Sequence, residues 1–285
     1  MEITIVIVLY NVKCNQSSSI NTLKNALNAV SFNNQYNFNV LVYNNSPIND
    51  NKDECINDNY IYIHDPRNKG IAVAYNYGLK LANKLGSSWM LLLDQDSVLP
   101  EKYFSVLIDT LNKISLDEDL VAIIPKVIDK CNKVISPTKI LVGRRTTTYT
   151  KNFNDYSQDI ISAINSGTLL RVNFLNAIGG FNELFNLDFL DHWLFHTIQA
   201  NKKRIYLINI TIEHQLSVSN YDLYMSKSRY ISILHAEATF IKIYGSNFDK
   251  FLYPFILTAR IIKQLFLYKN KSFSIITAKH LFKHY

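Results

Sequence analysis

The chain has 285 residues, 48% of them hydrophobic and 19% charged, with a net charge of +7. This is an ordinary globular composition, long enough for one large domain or a domain with an appendage. No run of about 18 uncharged apolar residues occurs, so no transmembrane helix is expected. Met1-Glu2-Ile3-Thr4-Ile5 runs straight into a strand pattern without a basic start or cleavage site, so no signal peptide is expected. The charge is uneven. From Met225 to Tyr285 there are ten Lys/Arg against two Asp/Glu, while the preceding residues carry a net of −1. The excess is therefore a local basic surface, which suits phosphate-bearing partners. Cys14, Cys55 and Cys131 lack metal-type spacing and read as reduced thiols of a cytoplasmic protein.

In chain order, Ile3 to Leu9 is a β-branched strand that ends at Tyr10-Asn11. Ser18 to Val30 has helical period, with Ile20, Leu23, Leu27 and Val30 on one face. Val40 to Tyr43 is a second strand, closed by Asn44-Asn45-Ser46-Pro47, which are turn formers. Tyr60 to His64 is a third, and Ile71 to Leu85 is a helix stopped by Gly86. Asn68, Gly70, Ala72, Ala74, Asn76 and Gly78 crowd the start of that helix. Small residues there allow either close approach of backbone to a ligand or close helix-on-sheet packing.

Trp89 to Leu93 is an unbroken apolar run, as in a strand buried on both faces, and it stops at Asp94-Gln95-Asp96-Ser97. Carboxylates past the carboxyl end of such a strand either hold a hard cation and its diphosphate or form an ordinary polar turn. Pro100 to Leu116 reads as a helix, Val121 to Pro125 as a strand, and 126–160 as a long irregular loop. Ile164 to Arg171 looks like a strand entered through a tight turn at Ser166-Gly167. Asp188, Asp191, His192 and Trp193 follow among bulky apolar residues. Acids so placed suit either proton transfer or helix capping. Ile205 to Ile212 is a further strand, and His214 after it is a structural histidine or a ligand. Strands alternating with helices over the first ~100 residues argue for a mostly parallel sheet of the α/β class.

Six segments in order, Ile3–Asn11, Val40–Pro47, Asn68–Gly78, Leu91–Ser97, Ser166–Glu183 and Asp188–His192, resemble the family 2 glycosyltransferases. The likeness is to the bacterial rhamnosyltransferase-like members that build surface polysaccharides such as O-antigen. It covers roughly residues 1–220. It implies an A-type glycosyltransferase fold, a Rossmann-like, mostly parallel sheet flanked by helices, with 221–285 as a basic, amphipathic helical C-terminal region. It also implies a nucleoside-diphosphate-sugar donor, a saccharide acceptor and inversion at the anomeric carbon.

The resemblance also assigns residues. Asn11, Asn44, Asn68, Gly70, Asn76 and Asp94 fall on the donor side. Ser166, Gly167, His192 and Trp193 fall on the acceptor side. Asp96, with Asp94 and His214, matches the position for Mg²⁺ or Mn²⁺. Asp191 matches the general base, with Asp188 as its backup because the usual second acid after Asp191 is replaced by His192-Trp193. Asn44 stands where the family usually has Asp, so it brings hydrogen bonds without charge.

Two other classes compete with this reading. A sugar-nucleotide nucleotidyltransferase needs a Gly-rich loop after the first strand, and Tyr10-Asn11-Val12-Lys13 has no glycine. A sugar-binding or scaffold protein on the same fold is compatible with the two departures. A dinucleotide oxidoreductase is excluded, since no GxGxxG is present. Phe251 to Tyr285 mixes apolar, aromatic and cationic residues at near-helical spacing. It reads as an amphipathic helix on the inner face of the cytoplasmic membrane, near a lipid-linked acceptor, or as a lid on the catalytic domain.

Overall fold

A computed structural model of the chain describes residues 1–30, 35–49, 60–114, 117–141, 146–149, 153–214 and 225–284. The chain parts into two compact units. One is Met1–Ile140 with Thr147–Gln215; the other is Leu141–Thr146 with Leu216–Tyr285. The boundary expected at 220/221 lies outside the described residues, as does Cys55.

The larger unit is built on β1 (Glu2–Leu9), β2 (Asn37–Asn44), β3 (Tyr60–His64), β4 (Trp89–Asp94) and β5 (Leu120–Ile128). The short strands β6 (Val134–Ser136), β7 (Thr138–Ile140), β8 (Thr146–Thr148), β9 (Asp155–Tyr156) and β10 (Ile161–Ser162) follow, then β11 (Leu169–Arg171) and β12 (Arg204–Glu213). Its helices are α1 (Ser18–Asn28), α2 (Ile71–Lys84), α3 (Tyr103–Ile114), α4 (Val172–Ala177) and α5 (Leu190–Ala200). Among the described residues the main sheet has the order β3-β2-β1-β4-β11-β5-β12-β9, with β6 beside β5. The pairs β1–β2, β1–β4, β2–β3 and β5–β12 are parallel. The mixed, mostly parallel α/β architecture expected from the alternation is the one observed.

The unbroken apolar runs explain the middle of the sheet. Ile3, Ile5, Val6, Ile7 and Leu9 on β1 and Met90 to Leu93 on β4 have no solvent exposure. Each such side chain contributes ~1.5–3 kcal/mol by burial, and the one polar residue inside these runs, Thr4, is satisfied by Ser87 Oγ at 2.8 Å. Helix α2 packs against β1 at its glycine: a Cβ on Gly78 would lie 2.5 Å from Val6 Cγ2. At Gly78 the small residue therefore serves close packing.

Among the described residues β9 and β6 pair antiparallel with β12 and β5 at the margin of the sheet, and β11 breaks the parallel order in its interior. It runs antiparallel to both β4 and β5. An antiparallel strand begins where its parallel neighbours end, so the residues just before β11 lie at the carboxyl edge of β4. The stretch 126–160, read as irregular, instead holds short strands, and β10, β7 and β8 form a small separate sheet. Strands of two or three residues leave no period in the sequence.

The C-terminal unit holds α6 (Lys227–Tyr244), α7 (Asn247–Leu267) and α8 (Ser272–His284). Its core is Met225, Tyr230, Leu234, Ile241, Tyr253, Leu257 and Phe273. The Tyr230 hydroxyl lies 2.7 Å from Thr277 Oγ1 and accepts from Gln264 Nε2 at 2.7 Å, and Thr277 donates to Gln264 Oε1 at 2.8 Å. Arg260 donates two 2.7 Å hydrogen bonds to Glu237, and this carboxylate holds the guanidinium well above its usual range, against the opposing effect of burial. The single helix expected after Phe251 is thus two helices joined at 268–271. No helix among the described residues is long and apolar enough to cross a membrane.

Cys14 is disulfide-bonded and Cys131 is free and exposed. Cys131 agrees with the expectation of a reduced thiol and Cys14 does not; that expectation rested on spacing alone. Sequence spacing says nothing of cysteines brought together by the fold.

Candidate active site

The turn after β4 is held from beneath by serines. Ser166 Oγ, on the segment leading into β11, accepts from Asp94 N at 3.0 Å and contacts Ser97 Oγ. Ser19, at the start of α1, accepts from Ser97 N at 2.9 Å, donates to Ser97 O at 3.0 Å, and also reaches Asp94 O. Ser17 Oγ donates to Gln95 O at 2.7 Å, and Gln95 Oε1 accepts from Tyr10 N at 2.8 Å. Ser19, Ser97 and Ser166 have no solvent exposure. Buried hydroxyls must be satisfied, and here each is satisfied by the backbone of the turn or by another serine.

Gly167 (φ +80) lets this segment pass closely. Its N–H donates to Leu92 O at 2.7 Å, and a Cβ would lie 2.6 Å from Ile212 Cδ1 and 2.8 Å from Pro125 Cγ. His214 arrives from the other side. Val98 and Glu213 exchange backbone hydrogen bonds of 2.8 and 3.2 Å, which sets the end of β12 against the turn. His214 Nδ1 then lies 3.1 Å from Asp96 Oδ1 and 3.2 Å from Ser97 Oγ, and Nε2 lies 3.7 Å from Asp94 Oδ2. The His214 side chain is 7% exposed, against 28% for Asp94 and 42% for Asp96, so Asp96 faces outward most. Burial pulls the imidazole pKa down, but the Asp96 hydrogen bond and the two carboxylate charges outweigh it and raise the value. Burial raises the Asp94 carboxyl, with the Asp96 and Asp191 charges adding and His214 opposing.

Two carboxylates and one imidazole form a donor set that suits Mg²⁺ or Mn²⁺. In the structure they make a bridge, carboxylate–imidazole–carboxylate, in which the histidine pairs with both acids. Among the described residues no three such side chains are grouped as a metal site. The donor chemistry therefore fits a divalent cation, while the geometry shown is that of a paired histidine.

Asp191 lies in the first turn of α5, whose cap residue Phe189 adopts φ 68. Its charge acts on both Asp94 and Tyr75. Tyr75, on α2, donates to Asp94 Oδ1 at 3.4 Å, and its ring packs tilted against Phe181 with centroids 5.1 Å apart. Asn76 latches the loop before α5: it accepts from Phe181 N at 2.7 Å and donates to Phe181 O at 2.9 Å and Glu183 at 3.0 Å. Its amide thus holds protein. His192 Nδ1 is 3.3 Å from Ser162 Oγ, Trp193 is buried in the core, and Asp188 is half-buried.

Of the residues expected on the donor side, Asn11 (φ 53) is exposed and its N–H donates to Ser46 Oγ at 2.8 Å. Asn44 is fully buried, donating to Tyr62 at 2.8 Å and accepting from Ser46 N at 2.9 Å. Asn68 (φ 44) and Gly70 (φ 96) form the approach to α2, and a Cβ on Gly70 would strike Asn186. That approach is anchored by buried Asp65. It accepts two 2.7 Å hydrogen bonds from Arg67 and one of 2.9 Å from Tyr43. Arg67 first and Tyr43 second hold the carboxyl well below its usual range, and burial with Asp65 nearby pushes Tyr43 up to about 12.

The structure thus gathers Asp94, Asp96, His214, Ser166 and Gly167 at one edge and brings the Asp191 charge to bear on it. Tyr75, Ser17, Ser19, Ser97 and Gln95 belong to the same edge and were missed. Nothing marks Tyr75 within a helical period, and Ser17 to Ser19 read as an ordinary helix start.

In open α/β sheets ligands bind outside the carboxyl ends of the strands, and Asp94 and Asp96 stand at that edge here. The sequence pattern described as "Glycosyl transferase family 2" matches residues 4–179, and the chain belongs to this family. No curated protein sequence matches it. Among solved structures it is similar to S. aureus TarS, with 14% identity and a TM-score of 0.56 over 93% of this chain and 44% of that one. It is similar to GalNAc-T7, crystallised with UDP, GalNAc and Mn²⁺, with 11% identity and a TM-score of 0.61 over 99% of this chain and 56% of that one. Residues 1–349 of S. aureus TarS in complex with UDP match at 12% identity and a TM-score of 0.52, over 99% of this chain and 88% of that one. The chain spans about half the length of the first two. At these identities the likeness is one of fold.

Proposed function

We propose that the chain is an inverting glycosyltransferase that moves a sugar, rhamnose being the first candidate, from a nucleoside-diphosphate donor to a saccharide acceptor. The observation that supports it best is the turn Asp94-Gln95-Asp96. It is fixed by three buried serines, faces His214, and feels the charge of Asp191. The UDP of two structural neighbours and the Mn²⁺ of one support the donor class and the cation. A lipid-linked acceptor for surface polysaccharide, reached from the inner membrane face, completes the reading.

In this mechanism Asp191 takes the proton of the attacking acceptor hydroxyl, which is a poor nucleophile near neutral pH. Asp96 and Asp94, with His214, would hold Mg²⁺ or Mn²⁺. Bound there, the cation supplies positive charge against the leaving diphosphate. The serines hold the backbone of the turn on either side of Asp96, and Asn11, Asn68 and Gly70 border the donor. The test is hydrolysis and transfer with dTDP-, UDP- and GDP-sugars, with Mn²⁺, Mg²⁺ or EDTA. Turnover of one donor that EDTA abolishes is expected. Failure with every donor, or full turnover in EDTA, rejects the reading or its metal respectively.

A further inference from the structure

Helix α7 is apolar on two sides. One side, with Tyr253, Leu257 and Gln264, is buried in the helical unit. On the other, Phe248, Phe251, Phe255, Ile262 and Phe266 are 51, 64, 61, 52 and 80% exposed. Their spacing, with Ala259 between, places them in one row. The row extends ~27 Å at 1.5 Å per residue. So long an exposed aromatic row on a soluble surface marks a contact.

The charge around the row names the kind of contact. Every lysine from 227 to 283 is exposed. Both acids of this region are engaged internally, Glu237 by Arg260 and Asp249 in the cap of α7. Arg260, paired with Glu237, is therefore not one of the free surface cations. What remains outward is apolar and positive. A second copy would set lysines against lysines, which is unfavourable. An anionic bilayer surface satisfies both features.

We infer that the outward row of α7 docks on an anionic lipid surface, with the Phe and Ile side chains at the acyl boundary and the lysines on the head groups. This rests on the reading of the chain as an enzyme that meets its acceptor at a membrane, and gives that reading a definite face.

The full chain is sedimented with vesicles of phosphatidylcholine alone or mixed with phosphatidylglycerol, at low and high salt. It is expected to follow the mixed vesicles at low salt and to leave them at high salt. Lys263→Glu should weaken binding about fivefold or more. A variant with Phe251→Ser, Phe255→Ser, Ile262→Ser and Phe266→Ser should remain in the supernatant with unchanged circular dichroism. In a Phe255→Trp variant, brominated lipid should quench the added emission. Equal binding to both vesicle types, no binding, or unquenched emission overturns the inference. So does self-association of the wild type, indifferent to lipid, that the serine variant abolishes. No donor is present in these assays, so donor hydrolysis by the same samples tests the catalytic reading separately.

Discussion

The carboxyl edge of the sheet and the helical unit solve opposite problems. At the edge, polar groups are drawn inward: Ser19, Ser97 and Ser166 are buried so that Asp94 and Asp96 can stand partly exposed in a fixed turn. In the helical unit, apolar groups are pushed outward, and α7 shows phenylalanines to solvent while Gln264 and Thr277 sit in its core. Burying polar groups has a cost unless each is hydrogen-bonded, and exposing apolar ones forgoes burial. Each region departs from the ordinary pattern where a surface has to act, and each secures the departure with a closed hydrogen-bond set underneath.

The comparison is broken most severely at the edge itself. Asp191→Asn is expected to lower turnover by about 10²-fold or more while donor binding survives. Steady-state rates set beside donor titration check this, and an active Asp191→Asn with a dead Asp188→Asn would move the base to Asp188. Ser166→Ala removes the acceptor of the Asp94 N–H and should raise the Mn²⁺ concentration for half-activity. Its melting temperature should fall by the equivalent of about 1 kcal/mol. An unchanged Mn²⁺ requirement would reduce the serines to packing.

In the helical unit, Gln264→Leu leaves the Tyr230 and Thr277 hydroxyls facing an apolar group. A loss of about 1–3 kcal/mol is expected by denaturant unfolding, with the edge chemistry unaltered. The smallest effect is on the acid limb. Asp65 has a depressed folded-state value, so its stabilisation is present above the ordinary 3.8 and is lost as pH falls through the folded value. Asp65→Asn should flatten that limb in pH-dependent melting. An acid limb as steep as the wild type's would show that other carboxylates govern it.

Much of this was legible because it is written in runs and periods. Ile3–Leu9 and Trp89–Leu93 fit interior strands, and Asp94 and Asp96 stand where the apolar run stops. The alternation also yielded the α/β class. What could not be read depends on partners distant in sequence. Leu169–Leu170–Arg171 looks like any short strand, and its antiparallel seat between β4 and β5 is set by both neighbours. The serine cradle joins three segments, each an unremarkable polar turn on its own. The Cys14 disulfide and the inward Arg260 were missed for the same reason: a pairing is a property of two positions.

Strand β11 also bears on the order in which this molecule assembles. It is far along the chain from β4 and from β5, and it can dock only once both edges stand ready to receive it. Closing such loops is entropically unfavourable until the contacts they permit are made, so pairings of this range form late. The amide of Asp94 is protected by Ser166, just ahead of β11. Its protection in pulse-labelled refolding should therefore appear after that of the β1–β2 ladder. The carboxyl edge is then the last part of the sheet to become itself, and a chain halted before that step has most of its core and no fixed acidic turn.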